Sequence, residues 1–386
     1  MASMSALSAL SIDMYLPAFP AMAESLDVPI STIQYSISVY LVAFGIGMLL
    51  FGPLSDRFGR RPLAILGLSG YALASACMAL SPTASVFLVC RFFQGMLGSA
   101  ATVVVPAIIR DCFGKDTARG MSTVTMIMLT APLVAPLLGS VLLTFTSWRA
   151  IFAVLAIYGA VALALVYLKL PETLPDSSIP KRLSYIDSYL GIMATPGIYR
   201  YLGTFLMSSL AFFTYLTSAP FVYITWFGVS EFVFGLLFTT TAASLILANY
   251  INVRLVSSYG SRRMMYSGLA SAVVFAVLLT LVTLFMHNLP LTMACFFMII
   301  GSLGIISVNA ESLVLIEFPN QASSAGAVTR TLRFTTGALV GPVLALFYTG
   351  TPVPVVLLVL IAVSVGAAIQ LLLYLVTKTS REKTTD

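Results

Sequence analysis

The chain has 386 residues, of which 59% are hydrophobic and only 9% are charged, whereas a soluble globular protein carries roughly 25% charged residues. Its 14 acidic and 20 basic side chains are too few to cover a water-facing surface. This composition excludes a cytosolic enzyme, a nucleic-acid-binding module and a disordered protein. Together with a mean hydropathy of +1.00, it predicts a chain that is largely embedded in lipid.

Twelve predominantly apolar runs are long enough to cross a bilayer, which takes about 20 helical residues. The runs do not alternate apolar and polar residues as transmembrane strands do, so we predict an all-α membrane protein with twelve transmembrane helices. We number the runs in chain order as spans 1 to 12. They cover residues 4–23, 32–53, 63–81, 84–109, 120–143, 148–169, 198–223, 232–254, 264–286, 291–315, 324–348 and 352–377.

Basic residues concentrate in one set of loops. The loops after spans 2, 4, 6 and 8 and the C-terminal tail all carry Lys or Arg, whereas the opposite loops hold only Arg149. Because cytoplasmic loops of membrane proteins are enriched in these residues, we predict that both termini are cytoplasmic, as an even number of spans requires.

The chain divides near its middle at a polar segment rich in Pro, Ser and charge. A short motif also recurs in the two parts, as LSDRFGRR at 54–61 and as LVSSYGSRR at 255–263, which places Gly59 and Gly260 at equivalent points. Such a repeat predicts two pseudo-symmetric six-helix bundles, although two basic turns can also resemble each other by chance. The predicted divisions are an N-terminal bundle at 1–170, a cytoplasmic linker at 171–197, a C-terminal bundle at 198–377 and a cytoplasmic tail at 378–386.

Four motifs carry a resemblance to a known family. Residues 52–61, GPLSDRFGRR, resemble the loop signature of the major facilitator superfamily, and residues 91–95, RFFQG, resemble its helix-4 motif. Residues 11–18, SIDMYLPA, resemble the first helix of the bicyclomycin-resistance group of drug:proton antiporters. Residues 131–139, APLVAPLLG, resemble the helix-5 antiporter motif of that group.

The resemblance implies a major facilitator fold and a function. We expect proton-coupled efflux of small organic molecules, such as bicyclomycin, chloramphenicol-type compounds or sulfonamides, across the bacterial inner membrane by alternating access. A proton-coupled transporter of a natural metabolite, such as a nucleoside or an amino acid, is the alternative on the same fold. We expect no cofactor, no metal, no nucleic acid and a monomer in the lipid bilayer. An enzyme is disfavoured because the chain has one histidine, His287, and no H-E-x-x-H motif. The absence of a Walker A motif indicates that ATP is not the energy source.

The loop after span 2 is expected to act as a conformational latch. Glycine permits a tight turn there, and Asp56 can accept hydrogen bonds from a helix N-terminus, which the resemblance suggests is that of span 11. Arg60 can pair with Asp111 at the end of span 4. The alternative is that the basic residues of this loop only anchor the helices at the cytoplasmic surface. In the second copy of the motif, Ser257 stands where Asp56 would be. The predicted latch comprises Gly52, Asp56, Arg57, Gly59, Arg60 and Asp111.

Charged side chains inside the spans are functional candidates, because each costs about 2.5–3.5 kcal/mol to insert. Asp13 lies midway along span 1, where desolvation favours the protonated carboxyl, so we predict that it carries the proton. It could instead pair permanently with an arginine or stabilise a bend near Pro17. Arg91 could balance the charge of Asp13 or merely anchor span 4.

Span 11 carries two arginines on one face. Arg333 is deep enough to face a cavity, whereas Arg330 is expected to reach the interface, and Glu311 of span 10 could pair with either or lie at the interface. Polar side chains of spans 2 and 4 are further candidates for substrate contact. The predicted proton and substrate set is Asp13, Arg91, Arg333, Glu311, Tyr40 and Gln94.

Glycine and proline residues recur in spans 5 and 11. Pro132 and Pro136 are predicted to break span 5, and Gly139 permits close packing. In span 11, Gly337, Gly341 and Pro342 are predicted to loosen the helix. Interrupted helices at matching places in the two bundles indicate moving elements. Ordinary tolerance of Gly and Pro in membrane helices is the alternative.

Overall fold

The computed structural model describes residues 1–114, 117–174, 191–195, 198–318 and 322–382. Most of the predicted linker, at 175–190 and 196–197, and the end of the predicted tail, at 383–386, lie outside the described residues. The predicted linker and tail therefore stay predictions.

Helices account for nearly all of the described chain. The helices of the first part are α1 (Ala2–Asp13), α2 (Phe19–Ser25), α3 (Ile30–Phe58), α4 (Arg60–Ala79), α5 (Ala84–Val103), α6 (Val105–Phe113), α7 (Thr117–Phe145) and α8 (Trp148–Lys169). Those of the second part are α9 (Tyr199–Pro220), α10 (Glu231–Tyr259), α11 (Ser261–Phe285), α12 (Leu289–Ile316), α13 (Ala322–Ala338), α14 (Val340–Leu346) and α15 (Val353–Glu382).

The predicted spans correspond to these helices. Eleven helical stretches of the described residues are long and apolar enough to cross a membrane. Span 11 is formed by α13 and α14, which are separated at Leu339. Eleven of the twelve predicted spans therefore coincide with such a stretch, and the remaining one, span 11, coincides with the pair α13 and α14.

Three other spans change their helical geometry along their length. Span 1 is interrupted between α1 and α2, where Leu16–Ala18 form a 3₁₀ turn that contains Pro17. Span 4 changes helix at Val104, just before a proline, and span 7 continues from α9 as a π-helix at Phe221–Trp226. Such points mark where a membrane helix departs from regular hydrogen bonding.

The predicted break of span 5 is wrong. Helix α7 runs without interruption through Pro132 and Pro136, although each proline lacks an N–H donor and crowds the preceding turn. Neighbouring helices can make up for such losses in a membrane protein. The nearby main-chain oxygen of Leu133 accepts a hydrogen bond of 2.8 Å from the Thr239 hydroxyl of α10, although the oxygens that lose an N–H partner are those of Met128 and Pro132.

The described residues group into two compact units. The first is drawn from 1–183, 219–239 and 341–346, and the second from 184–218, 240–340 and 347–386. In the first unit, α5 packs against α3 and α4, and α4 packs against α8. In the second unit, α11 packs against α12 and α15. The predicted division at 170 and 198 stays a prediction.

The repeated loop motif adopts the same backbone conformation in both copies. Gly59 precedes α4 with φ 99° and ψ 154°, and Gly260 precedes α11 with φ 78° and ψ 152°. A positive φ of this kind is available to glycine at little cost. The equivalence of the two glycines in sequence is therefore matched by an equivalent turn before each helix.

Candidate functional site

Asp13 is a buried carboxyl at the interruption of span 1. It is the last residue of α1, and only 4% of it is exposed. Its Oδ1 accepts no hydrogen bond from any residue that the structure describes. None of the ion pairs formed by the described residues joins Asp13 to Arg91. The carboxyl is thus not held in a permanent ion pair in this structure, which leaves it available to bind a proton.

Gly139 allows α7 to lie directly against the interrupted part of span 1. A Cβ atom at this position would overlap the main-chain oxygen of Met14 and would lie 3.3 Å from Pro17 Cγ. Because Met14 follows Asp13, the helix that carries the predicted antiporter motif touches the backbone beside the candidate proton site. Only glycine permits this approach.

Arg91 is fully buried and is held by uncharged groups. One guanidinium nitrogen donates a hydrogen bond of 2.7 Å to the main-chain oxygen of Ser11, and another donates to Gln94 Oε1. The guanidinium carbon lies 4.3 Å from the centroid of the Tyr15 ring and 4.4 Å from that of Tyr40. Two cation–π contacts and two hydrogen bonds therefore stabilise this cation.

The network around Arg91 extends across the first four spans. Gln94 Nε2 donates to Ser75 Oγ at 2.8 Å, the hydroxyls of Ser11 and Tyr71 lie 2.7 Å apart, and those of Tyr15 and Ser36 lie 2.8 Å apart.

This network includes three side chains that were predicted to contact substrate. All three are fully buried, namely Arg91, Gln94 and Tyr40. Their side chains bind one another and neighbouring helices in this structure. Direct contact with substrate stays a prediction for them, and the geometry favours a role in holding the helices together.

Arg60 joins the loop after span 2 to the end of span 4, as expected. It is 3% exposed and forms an ion pair with Asp111 of α6. It also donates to the main-chain oxygen of Ala107 at 3.3 Å and lies 3.9 Å from Asp56 Oδ1. Because the Arg60 side chain is buried and the Asp111 side chain is only 18% exposed, the pair does more than anchor a basic residue at a surface.

The other motif residues differ in how tightly they are held. The side chain of Asp56 is 48% exposed, and its expected contact with span 11 stays a prediction. The guanidinium carbon of Arg57 lies 5.3 Å from the centroid of the Phe58 ring. A Cβ on Gly52 would meet only Val103 at an ordinary 3.9 Å, so packing does not require glycine there.

Glu172 is a site residue that the sequence reasoning missed. Its carboxylate accepts hydrogen bonds from the backbone N–H groups of Arg60 and Arg61, at 3.0 and 3.1 Å, where α4 begins. It also accepts from its neighbours Thr173 and Leu174 at 2.8 and 2.9 Å. Partial burial opposes ionisation, but the four N–H donors outweigh it and lower the pKa of Glu172 below its ordinary value.

The loop motif does indicate that an acceptor from elsewhere is needed at the start of α4, although it does not specify Glu172. A helix that begins after glycine has no capping side chain, so its first N–H groups need an acceptor from elsewhere. A Cβ on Gly59 would lie 2.5 Å from Glu172 Oε2, so glycine admits the carboxylate as well as the positive φ. The Glu172 carboxylate is 112 positions away in the chain.

Spans 10 and 11 contain one ion pair and one further arginine that is not part of it. Arg330 Nε lies 3.8 Å from Glu311 Oε1, and both side chains are partly exposed. Arg333 is partly buried, and its guanidinium carbon lies 5.9 and 5.8 Å from the ring centroids of Phe205 and Phe212. Glu311 thus pairs with Arg330 among the described residues, and Arg333 faces aromatic rings.

The interruption of span 11 is explained by its contact with span 2. The N–H of Gly341 donates to the Ser38 hydroxyl at 3.0 Å, and a Cβ on Gly341 would overlap that oxygen. Pro342 follows within α14 and lacks the N–H that would continue the hydrogen bonding of α13. This break agrees with the loosening that was predicted from the sequence.

Comparison with known proteins identifies relatives over most of the chain. The family model described as Major Facilitator Superfamily matches residues 1–342. A bicyclomycin resistance protein homolog of Haemophilus influenzae is 32% identical over 346 residues, which cover 89% of this chain and 87% of that protein. A chloramphenicol resistance protein of Pseudomonas aeruginosa is 35% identical over 277 residues, which cover 71% of this chain and 65% of that protein.

Solved structures share the fold at low sequence identity. A D-xylose–proton symporter matches with a TM-score of 0.73 at 14% identity, over 95% of each chain. An inward-facing bacterial homolog of the human lysosomal transporter Spinster matches with a TM-score of 0.75 at 14% identity, over 96% of this chain and 94% of that one. These likenesses confirm the predicted all-α major facilitator fold. The chain belongs to the major facilitator superfamily of multi-pass membrane transporters and, within it, to the bicyclomycin-resistance group.

Proposed function

We propose that this protein exports small organic molecules in exchange for protons, by alternating access across the bacterial inner membrane, with both termini in the cytoplasm. Relatives named for resistance to bicyclomycin and chloramphenicol support drugs of these kinds as substrates. The basic loops support the orientation.

The proposal depends mainly on one observation, which is that the Asp13 carboxyl is buried and that its Oδ1 accepts no hydrogen bond among the described residues. A buried carboxylate without a cation beside it is unfavourable when ionised. Binding a proton therefore stabilises the conformation in which Asp13 is buried, whereas releasing the proton requires access of the carboxyl to water. Because Asp13 lies at the interruption of span 1 and α7 touches the adjacent Met14, loss or gain of the proton acts on a junction of two helices. This couples protonation to movement of the spans.

The loop latch supports alternating access. Arg60 is held by Asp111, and Glu172 binds the first N–H groups of α4. These contacts fix the loop after span 2 to the cytoplasmic ends of spans 4 and 6. A latch of this kind stabilises one conformation and releases it during turnover.

Transport into inverted membrane vesicles tests the function. Vesicles that contain the protein are loaded with acidic buffer and diluted into alkaline buffer with radiolabelled chloramphenicol. We expect accumulation that a protonophore abolishes and that vesicles without the protein lack. Proton-independent accumulation would contradict the coupling. Absence of chloramphenicol transport, with proton-coupled transport of a nucleoside or an amino acid, would favour the metabolite alternative.

A further inference from the structure

Arg333 lies deep within a membrane-spanning segment. It is eleven residues after Ala322, the first residue of α13, which is about 16 Å at 1.5 Å per residue. The hydrocarbon core is roughly 30 Å thick, so an α13 that begins at the membrane surface places Arg333 close to the middle of the bilayer. An arginine at this depth faces protein or a water-filled cavity rather than lipid.

Within the described part of the chain, no hydrogen bond or ion pair satisfies the N–H donors of Arg333. A guanidinium group has five N–H donors, yet the contacts that Arg333 makes within the described chain are with the rings of Phe205 and Phe212. No carboxylate of the described residues lies within 4.0 Å of it, because the nearby Glu311 pairs with Arg330. Aromatic rings stabilise the positive charge, but they do not satisfy its hydrogen bonds.

The local charge balance is positive. Arg330 and Arg333 contribute two positive charges and Glu311 contributes one negative charge, which leaves a net charge of +1. By contrast, Arg91 donates to Ser11 and Gln94 and is fully buried. Of the two deeply placed arginines, Arg333 is therefore the one with donors available to a ligand.

We propose that Arg333, with Phe205 and Phe212, recognises an oxygen-acceptor group on an aromatic substrate. Suitable groups are a carboxylate, a nitro group or a sulfonyl group, whose oxygens accept hydrogen bonds from the guanidinium in the low-dielectric interior. The ring of Phe212, which is partly exposed, offers an apolar surface to the substrate ring. This inference names the substrate class and rests on the proposed export function.

Direct binding tests the inference separately from transport. The purified full-length protein is titrated in detergent with benzoate, nitrobenzene and benzenesulfonamide, and with phenyltrimethylammonium as a cationic aryl probe. We expect the wild type to bind the three acceptor probes at least about 10-fold more tightly than the cationic probe. We expect Arg333→Gln to abolish this preference and Arg333→Lys to retain part of it.

Arg330→Gln is the matched control, because Arg330 lies one turn earlier on the same helix and is paired with Glu311. It should keep at least half of the preference. Equal binding of acceptor and cationic probes by the wild type would overturn the proposal. An unchanged preference for the acceptor probes in Arg333→Gln or Arg333→Lys protein would also overturn it, provided that the variant elutes as a monodisperse species. Loss of proton-driven transport with the binding preference intact would count only against the export function.

Discussion

Arg91 of α5 donates a hydrogen bond of 2.7 Å to the main-chain oxygen of Ser11 in α1, two residues before Asp13. On the other side of Asp13, the main-chain oxygen of Met14 touches Gly139 of α7. The backbone on both sides of the carboxyl is therefore held by neighbouring helices, while the carboxyl Oδ1 accepts no hydrogen bond among the described residues. The groups that hold the backbone on either side of Asp13 are therefore separate from the carboxyl that binds the proton.

Replacing Asp13 with asparagine should uncouple transport from the proton gradient. Asparagine keeps the size and the neutral state of the protonated carboxyl but cannot release a proton. We expect Asp13→Asn to abolish accumulation of substrate against a gradient in inverted vesicles, while exchange of labelled for unlabelled substrate continues. Uphill transport at the wild-type rate would contradict the proposed role.

Replacing Arg91 with lysine should destabilise the bundle. Lysine cannot bind Ser11 and Gln94 at once while lying between two rings, and each desolvated cation–π contact is worth about 2 kcal/mol. We expect the apparent Tm in detergent to fall by several degrees. The matched control is Arg149→Lys, because Arg149 also contacts a ring, that of Trp148, but lies at the edge of its span. An equal effect of the two changes would argue against the network.

Replacing Gly139 with alanine should impair transport. The added methyl group would overlap the main-chain oxygen of Met14, so α7 must move away from the interruption of span 1. We expect at least a 10-fold lower transport rate in inverted vesicles at normal expression. Gly326→Ala is the control, since its methyl group would meet only Leu315 at 3.8 Å, and it should retain most activity. A normal rate for Gly139→Ala would show that the close approach is not needed.

The sequence was sufficient for features that depend on local composition. Apolar runs located the spans, and the motif at 54–61 with its copy at 255–263 identified two glycines whose turns have equivalent dihedral angles. The ion pair of Arg60 with Asp111 also appears as expected, though its role as a latch stays a prediction.

The sequence was insufficient where contacts join distant parts of the chain. Glu172 binds N–H groups 112 positions away, and no local pattern specifies that pairing. Helix α7 continues through Pro132 and Pro136, and whether a proline ends a membrane helix depends on the neighbours around it. The rings around Arg91 likewise come from other spans, that of Tyr15 from the turn after α1 and that of Tyr40 from α3.

Replacing Glu172 with glutamine should weaken the loop after span 2 in a pH-dependent way. Because the N–H donors lower the pKa of Glu172 in the folded protein, its contribution to stability is fully present above its ordinary pKa and is lost as the pH falls through the lowered value. We expect Glu172→Gln to have a lower Tm than the wild type at pH 7. The difference should vanish as the pH is lowered below the folded pKa.

The exposed Glu24 supplies the control for this change. Glu24→Gln should leave the Tm close to that of the wild type at pH 7. If Glu172→Gln lowered the Tm equally at neutral and strongly acidic pH, the contribution would not come from the ionised carboxylate.

The distribution of charge inside the spans predicts a preference for neutral or zwitterionic substrates over dications. Asp13 is assigned to the proton, and Glu311 is paired with Arg330, so a dication would meet no available carboxylate among these groups and would be desolvated at a cost of several kcal/mol per charge. Exchange of one entering proton for a neutral molecule moves one positive charge inward, which the membrane potential favours by about 2.3 kcal/mol per 100 mV. Exchange for a dication moves one net positive charge outward and opposes the potential. We therefore expect faster uptake into inverted vesicles for the neutral member of a matched neutral and dicationic pair, and clearly faster uptake of the dication would contradict this assignment of charges.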